Sequence, residues 1–244
     1  MNHSTSNAVE IVCHRGANGH APENTYPSAK TAIELGADYV EIDVNVSKDG
    51  EFFVFHGPDL ARTTNGVGLI SDLPAAAIDE LDAGSWFGEE FSGEPVPRLA
   101  PFLDWIKGRA GVFFDVKAGD LEALVGLVRG VGLQEESFFW FRSPDRAMEL
   151  RALAPELTLK INARSVADVI VAHERYRAGI VEVGLENLSH ELIDACRSRG
   201  IRVMAYQTQN DRAAFREILE RGVDMVNLDH ADVFLEVARE FYEG

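Results

Sequence analysis

Residues 190–205 read HELIDACRSRGIRVMA, and residues 212–227 read RAAFREILERGVDMVN. Each stretch passes from a segment of helical character through a glycine, Gly200 or Gly222, into a short apolar run. Glycine readily adopts the left-handed backbone that often follows a helix, and a short apolar run is typical of a strand buried on both faces. The pattern therefore predicts a helix that leads into a buried strand, twice in succession.

The same alternation extends through most of the chain. It predicts eight strands, at residues 9–13, 39–43, 112–116, 137–140, 157–161, 180–183, 201–205 and 224–227. Most gaps contain a predicted helix, at residues 25–35, 99–107, 121–131, 144–153, 190–199 and 212–221. Eight alternations over about 250 residues are typical of the parallel (β/α)₈ barrel, or TIM barrel. An open, doubly wound sheet would alternate similarly, but the count of eight and the polar residues at strand ends favour the barrel.

One gap, between the second and third predicted strands, is too long for a single crossover. It begins with a turn at residues 48–50 and an extra strand at 51–55 that ends at His56. Residues 57–98 are rich in glycine and proline, and we interpret them as a small cap over the catalytic face. Within it, Trp86 and Phe87 either form a wall against the substrate or make the small core of the cap itself. We thus expect one barrel domain over residues 8–244, preceded by a disordered tail at residues 1–7.

The charge of the chain limits its partners. It has 40 acidic and 23 basic side chains, giving a formal net charge of −17. Such a protein repels polyanions, so we expect no nucleic-acid partner, and an anionic substrate must be attracted locally. We see neither a leader-like N-terminus nor an apolar run that could cross a membrane, and we expect a cytoplasmic protein without an integral membrane segment. Cys13 and Cys196 are expected to be buried thiols rather than a disulfide.

Charged residues at predicted strand ends indicate the candidate site. Glu41 and Asp43 lie two apart on one strand, as do Asp115 and Lys117 on another, so each pair shares a face. Charged side chains inside a barrel are costly unless they are paired or bind a metal. Three carboxylates suit a hard cation, Mg²⁺ or Ca²⁺, better than zinc, which prefers nitrogen and sulfur ligands.

Two histidines also lie at the ends of predicted strands. His14 and His56 each end an apolar run, and two imidazoles can serve as general acid and general base. A lone histidine at a strand end usually forms a hydrogen bond with the backbone and has no further role. Here Arg15 and Gly16 follow His14 directly and favour a functional role, because the guanidinium of Arg15 can bind a phosphate. The remaining candidates lack such neighbours and are expected to be surface or capping residues: His20, His173, His190 and His230.

Residues 22–25 read PENT and precede a predicted helix. Asn24 or Thr25 can cap that helix. Glu23 can support the site, either as a carboxylate near the metal or as the hydrogen-bond partner that orients a histidine or Arg15.

The order of these motifs resembles the glycerophosphodiester phosphodiesterase family. The motifs are HRG at 14–16, PENT at 22–25, EID at 41–43, a DG turn at 49–50, a strand ending in His56, RTTNGVG at 62–68 and DVK at 115–117. The resemblance extends over residues 14–229 and implies a TIM barrel. It also implies hydrolysis of glycerophosphodiesters to sn-glycerol 3-phosphate and an alcohol such as choline or ethanolamine, within lipid and glycerol metabolism.

The resemblance assigns roles to individual residues. It implies that His14 and His56 are the acid/base pair, that Glu41, Asp43 and Asp115 bind the metal, and that Arg15 and Lys117 contact the phosphate. We expect Tyr206 to form part of the wall around the glycerol or the alcohol. The chain departs from the family pattern in four places. Gly57 stands where the family has an aspartate, and Asp115 stands where it has a glutamate. Tyr206-Gln207 replaces a Trp-Thr pair, and residues 228–231 replace a T-D-x-P sequence.

Two other functions, a phospholipase and a non-catalytic binding protein, fit the sequence less well. A phospholipase C- or D-like barrel acting on lysolipids would need an apolar rim facing the membrane, which an acidic surface disfavours. A non-catalytic barrel that binds phosphodiesters is disfavoured because both histidines and all three carboxylates are present.

Overall fold

The computed structural model describes residues 9–243, and this part of the chain forms a closed barrel. Its strands are β1 (Glu10–Cys13), β2 (Tyr39–Val46), β3 (Phe52–Val54), β4 (Gly111–Val116), β5 (Ser137–Phe141), β6 (Thr158–Asn162), β7 (Ile180–Gly184), β8 (Arg202–Gln207) and β9 (Met225–Leu228). All except β3 are parallel, and β1 closes the barrel by pairing with both β2 and β9. The predicted TIM barrel and its eight strands are confirmed. The predicted disordered tail lies outside the described residues.

Helices surround the barrel. They are α1 (Tyr26–Leu35), α2 (Ala75–Ile78), α3 (Leu99–Ile106), α4 (Leu121–Val131), α5 (Pro144–Leu153), α6 (Val166–Glu174), α7 (His190–Arg197), α8 (Arg212–Arg221) and α9 (Ala231–Glu243). None of the helices within residues 9–243 is long and apolar enough to cross a membrane. Neither α6 nor α9 was predicted from the sequence. Helix α6 was missed because it is rich in valine and isoleucine, which favour strands.

Glycines end several of these helices, as predicted. Gly36, Gly132 and Gly222 follow α1, α4 and α8 in the left-handed conformation. Gly200 also adopts left-handed backbone between α7 and β8, as predicted, although α7 itself ends at Arg197 with Ser198 as its C-cap. Gly200 has a φ of 67°, which glycine adopts without steric cost, and it turns the chain toward β8.

The long gap folds as a strand followed by short elements. β3 runs antiparallel to β2, and residues 57–98 contain α2 and three single-turn 3₁₀ helices. These residues share an apolar cluster with β3, formed by Phe53, Phe55, Leu60, Ile70, Ala75, Ile78, Ala83 and Val96. The segment therefore has its own small core, while its role as a cap stays a prediction.

The barrel strands alternate between an inner and an outer apolar layer. The inner layer contains Val12, Phe113, Phe138, Ile180, Met204 and Met225. The outer layer packs under the helices, and in it the rings of Phe114 and Phe139 stack at 4.6 Å between centroids. Since successive residues of a strand point to opposite faces, the charged residues of β2 and β4 that share the inner face are directed into the barrel mouth.

Replacement of Phe114 tests this layering. Phe114 is fully buried, so Phe114→Ala should lower the free energy of unfolding by about 3–5 kcal/mol through lost transfer energy and a cavity. Val67→Ala is the control, because Val67 is 82% exposed and its loss should change stability by no more than about 0.5 kcal/mol. Denaturant unfolding measures both, and equal stability of the two variants would contradict the assigned layers.

Candidate active site

The turn after β1 places two functional side chains at the barrel mouth. Arg15 and Gly16 both adopt left-handed backbone, with φ of 56° and 79°. A Cβ at Gly16 would lie 2.6 Å from Ser28 Oγ, so only glycine fits against α1 here. The turn lets the Arg15 N–H donate to Glu41 Oε2 at 2.5 Å, which ties this turn to β2.

The next motif fixes the central carboxylate. Asn24 Nδ2 donates to Asp43 Oδ2 at 2.8 Å, and the Asp43 N–H donates to Asn24 Oδ1 at 3.0 Å. The helix cap is Thr25, which forms a capping box with Ser28. Of the two capping candidates, Thr25 is therefore the correct one, and Asn24 positions Asp43 instead.

Three predicted metal ligands converge at the ends of β2 and β4. Asp43 and Asp115 are direct partners in the β2–β4 register. Glu41, Asp43 and Asp115 each offer an oxygen, and these atoms lie within 4.8 Å of one another. The Oδ1 atoms of both aspartates are buried without an aligned hydrogen bond. Lys117 Nζ lies 2.8 Å from Asp43 Oδ1 and 2.5 Å from Asp115 Oδ2.

The pKa values of these acids reflect their crowding. Burial, and then the charge of Asp43, raises the pKa of Glu41 to about 8. Burial and Asp43 likewise raise the pKa of Asp115. For Asp43, burial is outweighed by Lys117 and Arg15, so its pKa is lowered. Hard oxygen donors, two of them lacking aligned hydrogen bonds, fit a divalent cation at this position.

His14 is held by an aspartate from the other end of the chain. Its Nδ1 lies 2.7 Å from Asp229 Oδ1, and Asn18 Nδ2 donates to the same oxygen at 2.7 Å. Burial lowers the His14 pKa, but Glu41 and Asp229 outweigh it, so the net shift is upward. The sequence analysis did not assign Asp229 a role, although its place directly after a strand was the same signal that identified the other acids.

His56 is fixed by backbone instead. Its Nδ1 lies 2.9 Å from the Gly57 carbonyl oxygen, an arrangement in which the ring N–H donates. Burial lowers the His56 pKa, and the opposing charge of Asp43 does not restore it. Gly57 has a φ of 55°, and a Cβ there would lie 2.6 Å from Asn45 Nδ2. This crowding explains why glycine stands where the resembling family has aspartate.

Glu23 links two arginines. It accepts from Arg15 Nη1 at 3.2 Å and from both terminal nitrogens of Arg62, at 2.9 and 2.5 Å. Of the two roles considered for Glu23, the geometry supports the orientation of Arg15. The part played by Arg62 was missed, although it begins the RTTNGVG motif.

The two histidines and their neighbours line two adjacent cavities. The mouth cavity, of 250 Å³, is lined by His14, Arg15, Glu41, Asp115, Lys160, Glu182 and Tyr206 among others. The side cavity, of 620 Å³, is lined by His56, Lys117, Arg142, Arg146 and neighbouring residues. Trp140 borders both. The two histidines therefore line different cavities, His14 the mouth cavity and His56 the side cavity.

The polar floor of the mouth cavity was not predicted. Lys160 Nζ lies 2.8 Å from Glu182 Oε1, and Asn227 Nδ2 donates to the other carboxylate oxygen at 3.3 Å. Tyr206 lines this cavity and its ring meets that of His14 edge-on at 5.8 Å. Burial, and then Glu182, raises the pKa of Tyr206 to about 12, so its hydroxyl stays protonated near neutral pH.

The remaining predicted residues lie away from the cluster. Trp86 is 44% exposed, donates its ring N–H to the Ala83 carbonyl and packs edge-on against Phe87. Neither aromatic lines the mouth or side cavity, which favours their role in the packing of residues 57–98. The four other histidines lie outside both cavities, and His20, His173 and His190 are exposed as expected. Both cysteines are free and buried, as predicted.

Comparison with known proteins places the chain among phosphodiesterases. The sequence model of the glycerophosphoryl diester phosphodiesterase family matches residues 14–120 of this chain. A Bacillus subtilis glycerophosphodiester phosphodiesterase is 29% identical over 257 residues, covering 96% of this chain and 87% of the relative.

Solved structures agree. The glycerophosphodiester phosphodiesterase of Agrobacterium tumefaciens superposes with a TM-score of 0.90 at 38% identity, covering 93% of this chain and 99% of that one. A phosphodiesterase of Oleispira antarctica, solved in complex with the product sn-glycerol-3-phosphate, has a TM-score of 0.85 at 28% identity, covering 93% and 96%.

The pairing of His14 with Asp229 predicts an NMR titration. In the metal-free protein the His14 ring should titrate above the usual pKa of 6.5, and Asp229→Asn should lower that pKa because a partner that stabilises the imidazolium is lost. Asp232→Asn, which removes the carboxylate beside His20, is the matched control and should leave the His14 titration unchanged. A His14 pKa that is the same in the native protein and Asp229→Asn would contradict the pairing.

Proposed function

The chain belongs to the glycerophosphoryl diester phosphodiesterase family, and from this we propose that it hydrolyses glycerophosphodiesters by metal-dependent, two-histidine catalysis. One observation carries the proposal: His14 lines a cavity with Arg15, Glu41 and Asp115, and His56 lines the neighbouring cavity with Lys117, which pairs with Asp43 and Asp115. The proposed acid/base histidines and phosphate-binding cations are thus grouped near the carboxyl ends of barrel strands, where barrel enzymes have their active sites.

The side chains of the site suggest how the phosphate is bound. Arg15 and Lys117 supply fixed positive charge next to the carboxylates, and a guanidinium can donate two parallel hydrogen bonds to a phosphate. Glu41, Asp43 and Asp115 would hold the divalent cation, which when bound would offset negative charge on the phosphoryl oxygens during transfer. Asn24 and Glu23 keep Asp43 and Arg15 in place.

The two histidines then move protons. One imidazole would take the proton of the glycerol 2-hydroxyl, and both rings are held in place, His14 by Asp229 and His56 by the Gly57 carbonyl. That oxygen attacks phosphorus, the bond to the alcohol breaks, and the other histidine protonates the departing oxygen. Water opens the resulting cyclic phosphate with the proton transfers reversed, which yields sn-glycerol 3-phosphate. Direct attack by water is the alternative and uses the same pair.

Removal of either histidine tests the acid/base pair. His14→Ala and His56→Ala should each lower kcat by about 10²–10⁴-fold, the usual contribution of a positioned proton-transfer group. His173→Ala is the control, because His173 lies exposed on α6. Steady-state release of sn-glycerol 3-phosphate measures the effect, with circular dichroism to show that the variants fold. Near-native turnover of folded His56→Ala would refute the two-histidine mechanism.

Chelation tests the metal. Dialysis against EDTA should abolish activity, and Mg²⁺ or Ca²⁺ should restore it, because a cation offsets three crowded carboxylates. The cation should also raise the melting temperature, since a ligand that binds the folded state stabilises it. Glu41→Gln should lose both responses, whereas Glu191→Gln, an exposed acid on α7, should keep them. Full activity of the native enzyme in excess EDTA would rule out metal dependence.

A further inference from the structure

The side cavity carries positive charge in an otherwise acidic protein. Its wall includes Arg142 and Arg146, together with Lys117, which pairs with Asp43 and Asp115, and the described residues that line it include no aspartate or glutamate. The chain as a whole has 40 acidic side chains against 23 basic ones. A concave surface of one charge sign concentrates oppositely charged ligands. The cavity is therefore suited to an anionic group.

Arg142 is free to bind such a group. It follows β5 directly, is exposed, and forms no ion pair with another residue in the described range 9–243. Arg146 is partly occupied, since its guanidinium reaches Glu149 at 3.1 Å and donates to the Gly119 carbonyl. The planar fork of an arginine matches the geometry of a carboxylate or phosphate. Arg142 thus offers an uncommitted donor at the cavity wall.

The aromatic wall of the cavity is poorly suited to a cationic alcohol. Trp140 borders the cavity, and a quaternary ammonium group such as choline binds best over an indole ring. Here the ring already has two cations, with Lys160 Nζ 4.9 Å and Lys117 Nζ 5.8 Å from its centroid. A third cation would have to compete with both lysines for the ring. Trp140 therefore does not form an open site for choline.

We propose that the side cavity receives the alcohol part of the substrate and selects alcohols that carry a carboxylate or phosphate over choline. The proposal rests on the proposed function and deepens it. His56 connects the two, because it lines the side cavity and belongs to the proposed acid/base pair. The glycerol part then occupies the mouth cavity beside His14, so the two cavities divide the substrate at its phosphorus.

A panel of three diesters tests the proposal on the native enzyme. Glycerophosphoinositol 4-phosphate carries an anionic alcohol, glycerophosphoinositol a neutral one and glycerophosphocholine a cationic one. At low ionic strength, kcat/KM should fall in that order, with the anionic substrate about fivefold above the neutral one, as for a partly exposed ion pair. Added salt should reduce this ratio, since it screens exposed charges.

Variants of Arg142 assign the preference to the cavity. Arg142→Gln should lower the ratio of kcat/KM for the anionic to the neutral substrate by about fivefold. Arg142→Lys should keep part of the ratio, and Arg142→Glu should favour choline. Arg239→Gln is the matched control, because Arg239 is also exposed but lies on α9, and it should leave the ratio unchanged.

The outcomes separate this inference from the proposed function. Hydrolysis of all three diesters with choline preferred, or a ratio unaltered by Arg142→Gln, would overturn the role of the side cavity and leave the activity intact. Failure to release sn-glycerol 3-phosphate from any of the three would overturn the proposed function itself.

Discussion

The site depends on one buried carboxylate, that of Asp43. It is 0% exposed, and a charge in that position is tolerated only if partners replace the lost water. Asn24 binds it reciprocally, and Arg15 and Lys117 contribute positive charge at 3.2 and 2.8 Å. These partners come from the turn after β1, the approach to α1 and the end of β4. The requirement to satisfy Asp43 therefore joins the motifs of the chain into one structure.

The same constraint organises the chemistry around it. Because Lys117 and Arg15 offset the charge of Asp43, the raised pKa values belong to Glu41 and Asp115, whose charged forms a cation would stabilise. Arg15 is oriented by Glu23, which in turn binds Arg62 of the inserted segment. His14 and His56 lie beyond this cluster, each beside a different cavity. A charged layer thus lies above the apolar interior of the barrel, at the residues that line both cavities.

Sequence patterns predicted the elements and most of the cluster because both follow from local rules. Strands, C-cap glycines and acids two apart on a strand depend on near neighbours in the chain. The residues that were missed depend on distant contacts: His14 meets Asp229 across 215 residues, and Lys160 meets Glu182 across 22. Helix α6 was missed because valine and isoleucine are as typical of a strand. The pairing of β1 with β9, which closes the barrel, creates the first pair, and the pairing of β6 with β7 creates the second.

If Glu41, Asp43 and Asp115 bind one divalent cation, anomalous diffraction from crystals soaked with Mn²⁺, a scattering substitute for Mg²⁺, is the most direct measurement of it. We expect a single strong anomalous peak among the three carboxylates, with Lys117 displaced from at least one of its two aspartates. An empty cluster with Lys117 still bridging Asp43 and Asp115 would contradict a cation site at these residues.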